Sequence, residues 1–343
     1  LNTIALGMSG GVDSSVAVHL LQKAGWKVVG LHLKLTAHTG RDDSAAADAR
    51  RVADFFGIPL HIIDAQADFE SLVTSPFAEA YLKGQTPNPC IRCNRLIKFG
   101  RLWQEAQALG ATHLATGHYA RIRTLNGDTG LFRGADHQKD QSYFLYGINR
   151  TLLPQVRFPL GDYTKPEIRA IAADLNLPVA SKSDSQEICF IDDDDYARWL
   201  ERNCDDLPHQ GTFVASDGSL LGHHQGAWRF TIGQRKGLGL ALGYPAYVEK
   251  IDAASGQVVI GDGTALYRQE LTAHDLNWLL PLNPESGRAT VKIRSRGEGA
   301  PAKWQVENKR LTVHFQQPIR AITPGQSVVL YDGDRVIGGG IID

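Results

Sequence analysis

The chain has 343 residues, a formal net charge of −1, 43% hydrophobic and 21% charged residues. A length beyond the roughly 250–300 residues at which one core stops growing calls for two or three domains, and no run of about 18 apolar residues offers a membrane span. The near-zero charge excludes a uniformly basic nucleic-acid coat, so any RNA contact must come from a local patch.

In chain order, residues 3–8, 27–35, 59–65 and 111–117 are apolar and read as strands, with helical patterns between them. Val16 and Leu20 begin one stripe. Ala49, Val52, Ala53 and Phe56 form a second at i, i+3, i+4, i+7, and Phe99, Leu102, Trp103 and Ala106 a third. This alternation predicts an α/β fold with a parallel sheet. Residues 164–175 read as a further helix, with Thr164 as N-cap and Glu167 as capping-box partner, and Tyr196, Trp199 and Leu200 suggest one more. The acidic run 192–195 reads as a solvated helix start. After about residue 204 glycines and short β-prone runs dominate. Three domains are expected: 1–204 catalytic, 205–265 small and central, 266–343 a β-barrel. Seven basic residues (Arg288, Lys292, Arg294, Arg296, Lys303, Lys309, Arg310) against Glu298 and Glu307 form the one candidate patch, which a solvated face would explain equally well. With no basic, apolar leader ahead of the first strand, a cytoplasmic setting is expected.

Residues 3–15 read TIALGMSGGVDSS, a strand, a Gly-rich turn and a helix start. Gly10 and Gly11 allow close backbone approach, the hydroxyls of Ser9, Ser14 and Ser15 can donate to phosphate oxygens, and a helix N-terminus favours an anion. The loop has neither the Lys of a P-loop nor the spacing of a dinucleotide fingerprint. It resembles the PP-loop of ATP pyrophosphatases, which split ATP between the α and β phosphates.

Further segments narrow the resemblance: TPNPCIRCNRLIKFG at 86–100, GHYAR at 117–121, KDQSYFL at 139–145, SQEICFI at 185–191, TIGQRKGLGL at 231–240 and TPGQ at 323–326. Together they resemble the tRNA-uridine 2-sulfurtransferases, or tRNA-specific 2-thiouridylases, over essentially the whole chain. The resemblance implies an adenine nucleotide α-hydrolase-like PP-loop domain, a central domain and a C-terminal tRNA-binding barrel. The enzyme would act on the wobble uridine of tRNAs such as those for Lys, Glu and Gln, with ATP and Mg²⁺, and a cysteine desulfurase or relay protein would supply sulfur. Position by position it implies that Gly7, Met8, Ser9, Gly10, Gly11, Val12, Asp13 and Ser14 hold ATP, joined by Leu33 and Gly117. Asn88, Pro89 and Cys90 would face the target base. Cys93 would be the assisting nucleophile and Cys189 the persulfide carrier, and His118, Lys139, Asp140, Gln141, Arg294, Ser295 and Gln326 would contact tRNA. Many relatives have Asp at the position of Cys90, and some have an aromatic at that of Ser295.

Chemically, the uracil 2-oxygen is a poor leaving group until AMP is attached to it, after which sulfur can add at the ring carbon. Asp13 is the nearest plausible magnesium carboxylate. Asn88 has the amide to read a uracil edge, and Arg92 and Arg95 flank Cys93 and would favour its thiolate. Three thiols leave two chemistries open: a Cys189 persulfide released by disulfide formation with Cys93, or an iron-sulfur cluster on Cys90, Cys93 and Cys189. The thiol at position 90 tips the balance slightly toward the cluster. Cys204 matches no motif and is expected to be structural, as are Trp228 and Trp304. The competing classes are a PP-loop ligase for a small metabolite, which needs no motif cysteines, and a cysteine-based metal or redox module, which leaves the Gly-rich loop unexplained.

Overall fold

The computed structural model describes residues 2–36, 40–183, 188–191, 193, 195–281 and 285–343, with only the backbone at 40–42. Five parallel strands form the first sheet, in the order Leu60–Asp64, Lys27–Lys34, Thr3–Gly7, His113–Thr116, Val156–Arg157. The two strands beside the break in order, Thr3–Gly7 and His113–Thr116, pair Gly7 with Thr116. That point, where the chain's direction of travel across the sheet reverses, opens a crevice at the strands' carboxyl ends, the usual place for a ligand in such sheets. The four expected strands are present, each shorter by one to three residues than the apolar run. The first runs to Gly7, and the Met8 N–H beyond it still donates to the Leu31 carbonyl of the neighbouring strand at 2.8 Å.

Helices Val12–Lys23 and Gly40–Phe56 cover one face through Val16, Ala49, Val52 and Ala53, all buried. The third stripe departs from expectation. Its start is π-wound, over Cys93–Arg101, and only Leu102–Ala108 is α-helical, with the Leu102 N–H reaching back five residues to the Ile97 carbonyl. Helix Lys165–Asp174 begins as expected: the Glu167 carboxylate accepts from the Thr164 N–H at 2.6 Å and hydroxyl at 2.7 Å. Asp195 caps helix Tyr196–Asn203, and Asp193 pairs with Arg198 at 2.7 Å. Asp192, Asp194 and the start of the SQEICFI segment, residues 185–187, lie outside the described residues. No helix among the described residues is long and apolar enough to cross a membrane.

A four-stranded sheet follows, in the order Tyr247–Asp252, Gln257–Gly261, Gly211–Ala215, Leu220–His224. The last six strands, Tyr267–Trp278 to Arg335–Ile342, form an antiparallel barrel closed by pairing the first with the last. Trp228 and Trp304 are buried as expected, and Trp304 lies 5.3 Å from Trp278, ring centroid to centroid. The hairpin Ala120–Leu125 and Asp128–Arg133, which no sequence pattern announced, leaves the parallel sheet and extends the barrel through Arg335 opposite Phe132. Asp128 fastens it, accepting from Arg150 at 2.9 Å and pairing with Arg335. Val329, Tyr331 and Val336 of the barrel pack into the same apolar core as Ala5 and Leu31 of the first sheet.

Candidate functional site

Ser9, Gly10 and Gly11 make a tight turn into helix Val12–Lys23. The Ser14 hydroxyl donates to the Gly11 carbonyl at 3.1 Å and accepts from the Ser9 N–H at 3.3 Å, and the Ser15 hydroxyl reaches the same carbonyl at 2.8 Å. Gly10 has φ +70°, and a Cβ there would lie 2.4 Å from the Ala45 carbonyl oxygen, so only glycine fits. Gly117 comes from the neighbouring strand: a Cβ on it would lie 3.1 Å from Ser14 N, which places its backbone against the start of the loop's helix. Leu33 is on the other neighbouring strand, beside His32, whose Nδ1 bonds the Met8 carbonyl at 2.7 Å. The residues expected to hold ATP therefore gather at the carboxyl ends of three neighbouring strands.

Two lysines that the motifs did not single out reach this loop from more than a hundred residues away. Lys165 Nζ donates to both Asp13 oxygens, at 2.7 and 2.9 Å, and the Tyr119 hydroxyl donates to Asp13 Oδ1 at 2.9 Å. Lys182 Nζ donates to the Gly10 carbonyl at 3.2 Å and to Asp48 at 2.6 Å. Burial raises the Asp48 pKa, but hydrogen bonds from Lys182 and Arg51 outweigh it and hold the carboxyl below its usual value. Asp13 is thus occupied by a cation. A magnesium ion would have to ride on the triphosphate oxygens and share this carboxylate with Lys165. The sequence signal available for Lys165 was its place at the start of a capped helix, which says nothing of tertiary reach.

Asn88 is the N-cap of the short turn Pro89–Arg92, its side-chain oxygen accepting from the Ile91 N–H at 3.4 Å. Its acceptor serves that cap, leaving the amide donors as the part able to meet a base. Cys90 is half-buried, Cys93 buried and Cys189 exposed. Burial pushes the Cys93 thiol up to about 11; Lys98 pulls it down and Cys90 adds to the rise. Cys90 is likewise raised by burial, with Lys98 opposing. The expected flanking arginines do not serve Cys93: Arg92 donates to the Leu72 carbonyl at 2.9 Å and Arg95 pairs with Asp275 at 2.7 Å, because neighbouring positions on a helix point to different sides. Lys98, five residues on along the π-wound segment, takes that place. Phe190 and Ile191, which follow Cys189, belong to the same apolar cluster as Cys93, and half-buried Cys204 packs against it. Among the described residues no three His, Cys, Asp or Glu side chains gather to hold a metal, so the cysteines do not fit a cluster ligand set in this arrangement.

The expected tRNA contacts are spread out. His118 is only 7% exposed, with Nδ1 on the Thr116 hydroxyl at 2.7 Å. Asp140 accepts from the Gly134 and Ser142 N–H groups at 3.1 and 3.0 Å, and Gln141 from the Tyr119 N–H at 2.9 Å. Gln326 donates to the Thr86 carbonyl at 3.1 Å. These side chains hold the protein to itself, while Lys139, Arg294 and Arg296 are exposed and Ser295 is half-buried. Within the basic patch, Arg288 stands across from Lys303 on adjacent strands and both are exposed, but Arg310 is tied to Asp343 at 2.8 Å. Lys292 is 8% exposed and donates to the Ser295 carbonyl at 2.9 Å, supporting the loop from below.

Comparison with known proteins bears on the whole chain. Residues 2–193 match the family described as tRNA methyl transferase HUP domain, 200–262 its PRC-barrel domain, and 268–342 the aminomethyltransferase beta-barrel domain. A tRNA-specific 2-thiouridylase of Syntrophotalea carbinolica is 46% identical, covering 99% of this chain and 98% of the relative. Those of Acetivibrio thermocellus and Geobacter metallireducens are each 44% identical, covering 99% of this chain and 98% and 96% of their own length. The domain descriptions speak of methyl transfer, but the relatives that align from end to end, across all three regions, carry the thiouridylase name. The chain belongs to the tRNA-specific 2-thiouridylase family.

Proposed function

We propose that the protein thiolates the 2-position of a uridine in tRNA, at the anticodon wobble position, in an ATP-dependent reaction. The observation that carries this reading is the phosphate loop at the sheet's reversal point, with Gly117 against it and His118, the next residue, linked through Lys98 to Cys90 and Cys93. Uracil O2 attacks the α-phosphorus, the bond to the β-phosphate oxygen breaks and pyrophosphate leaves. The terminal sulfur of a Cys189 persulfide then adds at C2. Cys93 attacks the Cys189 sulfur, forming a disulfide and releasing the sulfur to the ring, and AMP departs with the former O2. A dithiol reductant must then reopen the disulfide. The protein's part is positioning and charge stabilisation.

In this reading residues 1–204 carry the chemistry, 205–265 link, and 266–343 present Arg288, Lys303, Arg294 and Arg296 to tRNA phosphates. Substrates would be tRNAs of the Lys, Glu and Gln type, and a cysteine desulfurase or relay protein would load Cys189. The setting would be the reducing cytoplasm, which keeps thiols available.

The test is nucleoside mass analysis of tRNA after incubation with the protein, ATP, magnesium and a persulfide source. The expected result is 2-thiouridine with stoichiometric AMP and pyrophosphate. Unmodified tRNA, or ADP and phosphate as products, would overturn the reading.

A further inference from the structure

Lys98 is a half-buried cation with a single hydrogen-bond partner among the described residues, and that partner carries no negative charge. Its Nζ lies 3.4 Å from His118 Nε2. An ammonium has donors only, so Nε2 must accept and carry no proton; Nδ1 then holds the proton and donates to the Thr116 hydroxyl at 2.7 Å. The imidazole is therefore neutral, in agreement with burial and the Lys98 charge, which hold its pKa well below the ordinary value. Phe99 and Phe158 enclose the ring at centroid distances of 6.2 and 5.8 Å. Among the described residues this half-buried ammonium, held by a neutral acceptor, has no counter-charge of the kind such groups normally have. The arrangement holds a place for an anion.

The position identifies the anion. On one side Lys98 faces Cys90 and Cys93, whose thiols feel its charge. On the other, His118 follows Gly117, whose backbone abuts Ser14 at the phosphate loop. The group that must lie between a phosphate loop and a base pocket in an adenylating enzyme is the α-phosphate.

We propose that Lys98 is a catalytic residue that binds the α-phosphate, first of ATP and then of the AMP attached to uracil O2, and that His118 is the positioning residue that aims it. This rests on the adenylation reading above. The ammonium offsets the charge that grows on the α-phosphate as AMP leaves, and the pyrophosphate remains the business of the Gly-rich loop. A buried His118 then serves as the support for a lysine, without touching RNA.

The experiment measures binding of AMP and of inorganic pyrophosphate separately, by calorimetry on the full chain. Lys98→Gln is expected to weaken AMP by about 10- to 100-fold, the range of a lost charged hydrogen bond, with pyrophosphate unchanged within about twofold. Lys98→Arg should restore most of the AMP affinity. AMP affinity retained in Lys98→Gln, or an equal loss for both ligands, overturns the proposal. A second measurement uses the wild-type chain and guards against a misfolded variant: peptide-resolved acetylation of Lys98 should be blocked by AMP and not by pyrophosphate. Equal protection by both, or by neither, overturns it as well. Neither readout depends on thiolation. Loss of 2-thiouridine formation with AMP still seated on Lys98 would sink the functional reading alone, and active thiolation with AMP indifferent to Lys98 would sink this proposal alone.

Discussion

Gln326 and Thr86 join the barrel to the segment proposed to face the base: Gln326 Nε2 donates to the Thr86 carbonyl at 3.1 Å, and the Thr86 N–H returns to the Pro324 carbonyl at 2.8 Å. Between them Gly325, at φ +87°, leaves no room for a side chain, since a Cβ would lie 2.9 Å from that of Gln85. Thr86 leads directly into Asn88, Pro89 and Cys90. Gln326→Ala should therefore lower kcat for thiolation about 3- to 10-fold while the tRNA Kd stays within about twofold, a loss of one hydrogen bond's worth of positioning. Steady-state kinetics with filter binding check this. Weaker tRNA binding at an unchanged kcat would instead make Gln326 an RNA contact.

The cysteines should differ in reactivity with pH. Exposed Cys189 should be alkylated first near neutral pH, whereas buried Cys93, with its thiol at about 11, should lag and quicken about tenfold per pH unit up to that value. The same shift has a stability consequence. The folded thiol's pKa lies above its unfolded value, so the contribution is complete below about pH 9 and is lost as pH rises through about 11. Peptide-resolved alkylation and thermal melts between pH 7 and 11 test both. Cys93→Ala should flatten the alkaline fall in stability by on the order of 2 kcal/mol.

Asp13 and Lys165 form a partly buried pair, with side-chain exposures of 33% and 11%. Removing only the carboxylate takes away a counter-charge that Lys165 holds at 2.7 Å. Asp13→Ala should cost about 2–4 kcal/mol of stability as well as AMP release. The double variant Asp13→Asn with Lys165→Met should recover most of the stability and none of the activity. Denaturant unfolding read beside AMP release separates these effects; full stability in Asp13→Ala would show that the pair carries no weight in the fold.

Local patterns revealed the parallel sheet, the loop and the Thr164–Glu167 cap, because each depends on residues within a few positions of one another. The hairpin that joins the barrel was hidden, since Asp128 finds Arg335 across 207 positions and neither residue stands out in its own segment. The site divides in the same way. Gly10 and Gly11 were legible as glycines at a close approach and Gly117 came with the resemblance, but Lys98 and Lys182 became visible only through His118 and Gly10, their partners in space. The motif residues His118, Asp140 and Gln326 turned out to hold backbone or neighbouring side chains, an internal use of polar groups that a linear pattern does not distinguish from an outward one.

Cys90, Cys93 and Cys189 offer the sharpest choice between mechanisms. A cluster needs its thiolates converging on one point, and ligand thiols are deprotonated on binding iron. Here burial instead favours the protonated form of Cys90 and Cys93, Cys189 is exposed, and no three-ligand group forms among the described residues. Cys93 nonetheless shares its apolar cluster with Phe190, the neighbour of Cys189, which puts the two cysteine-bearing segments against one core. Protein purified anaerobically should contain well under one iron per chain and should thiolate tRNA with a persulfide donor alone. Cys93→Ala and Cys189→Ala should each abolish turnover. Cys90→Ala should retain activity within about tenfold, because in the persulfide route its thiol is spectator to both bond changes. Iron and acid-labile sulfide near cluster stoichiometry, lost together with activity in all three variants, would reverse the assignment and make Cys90 a ligand.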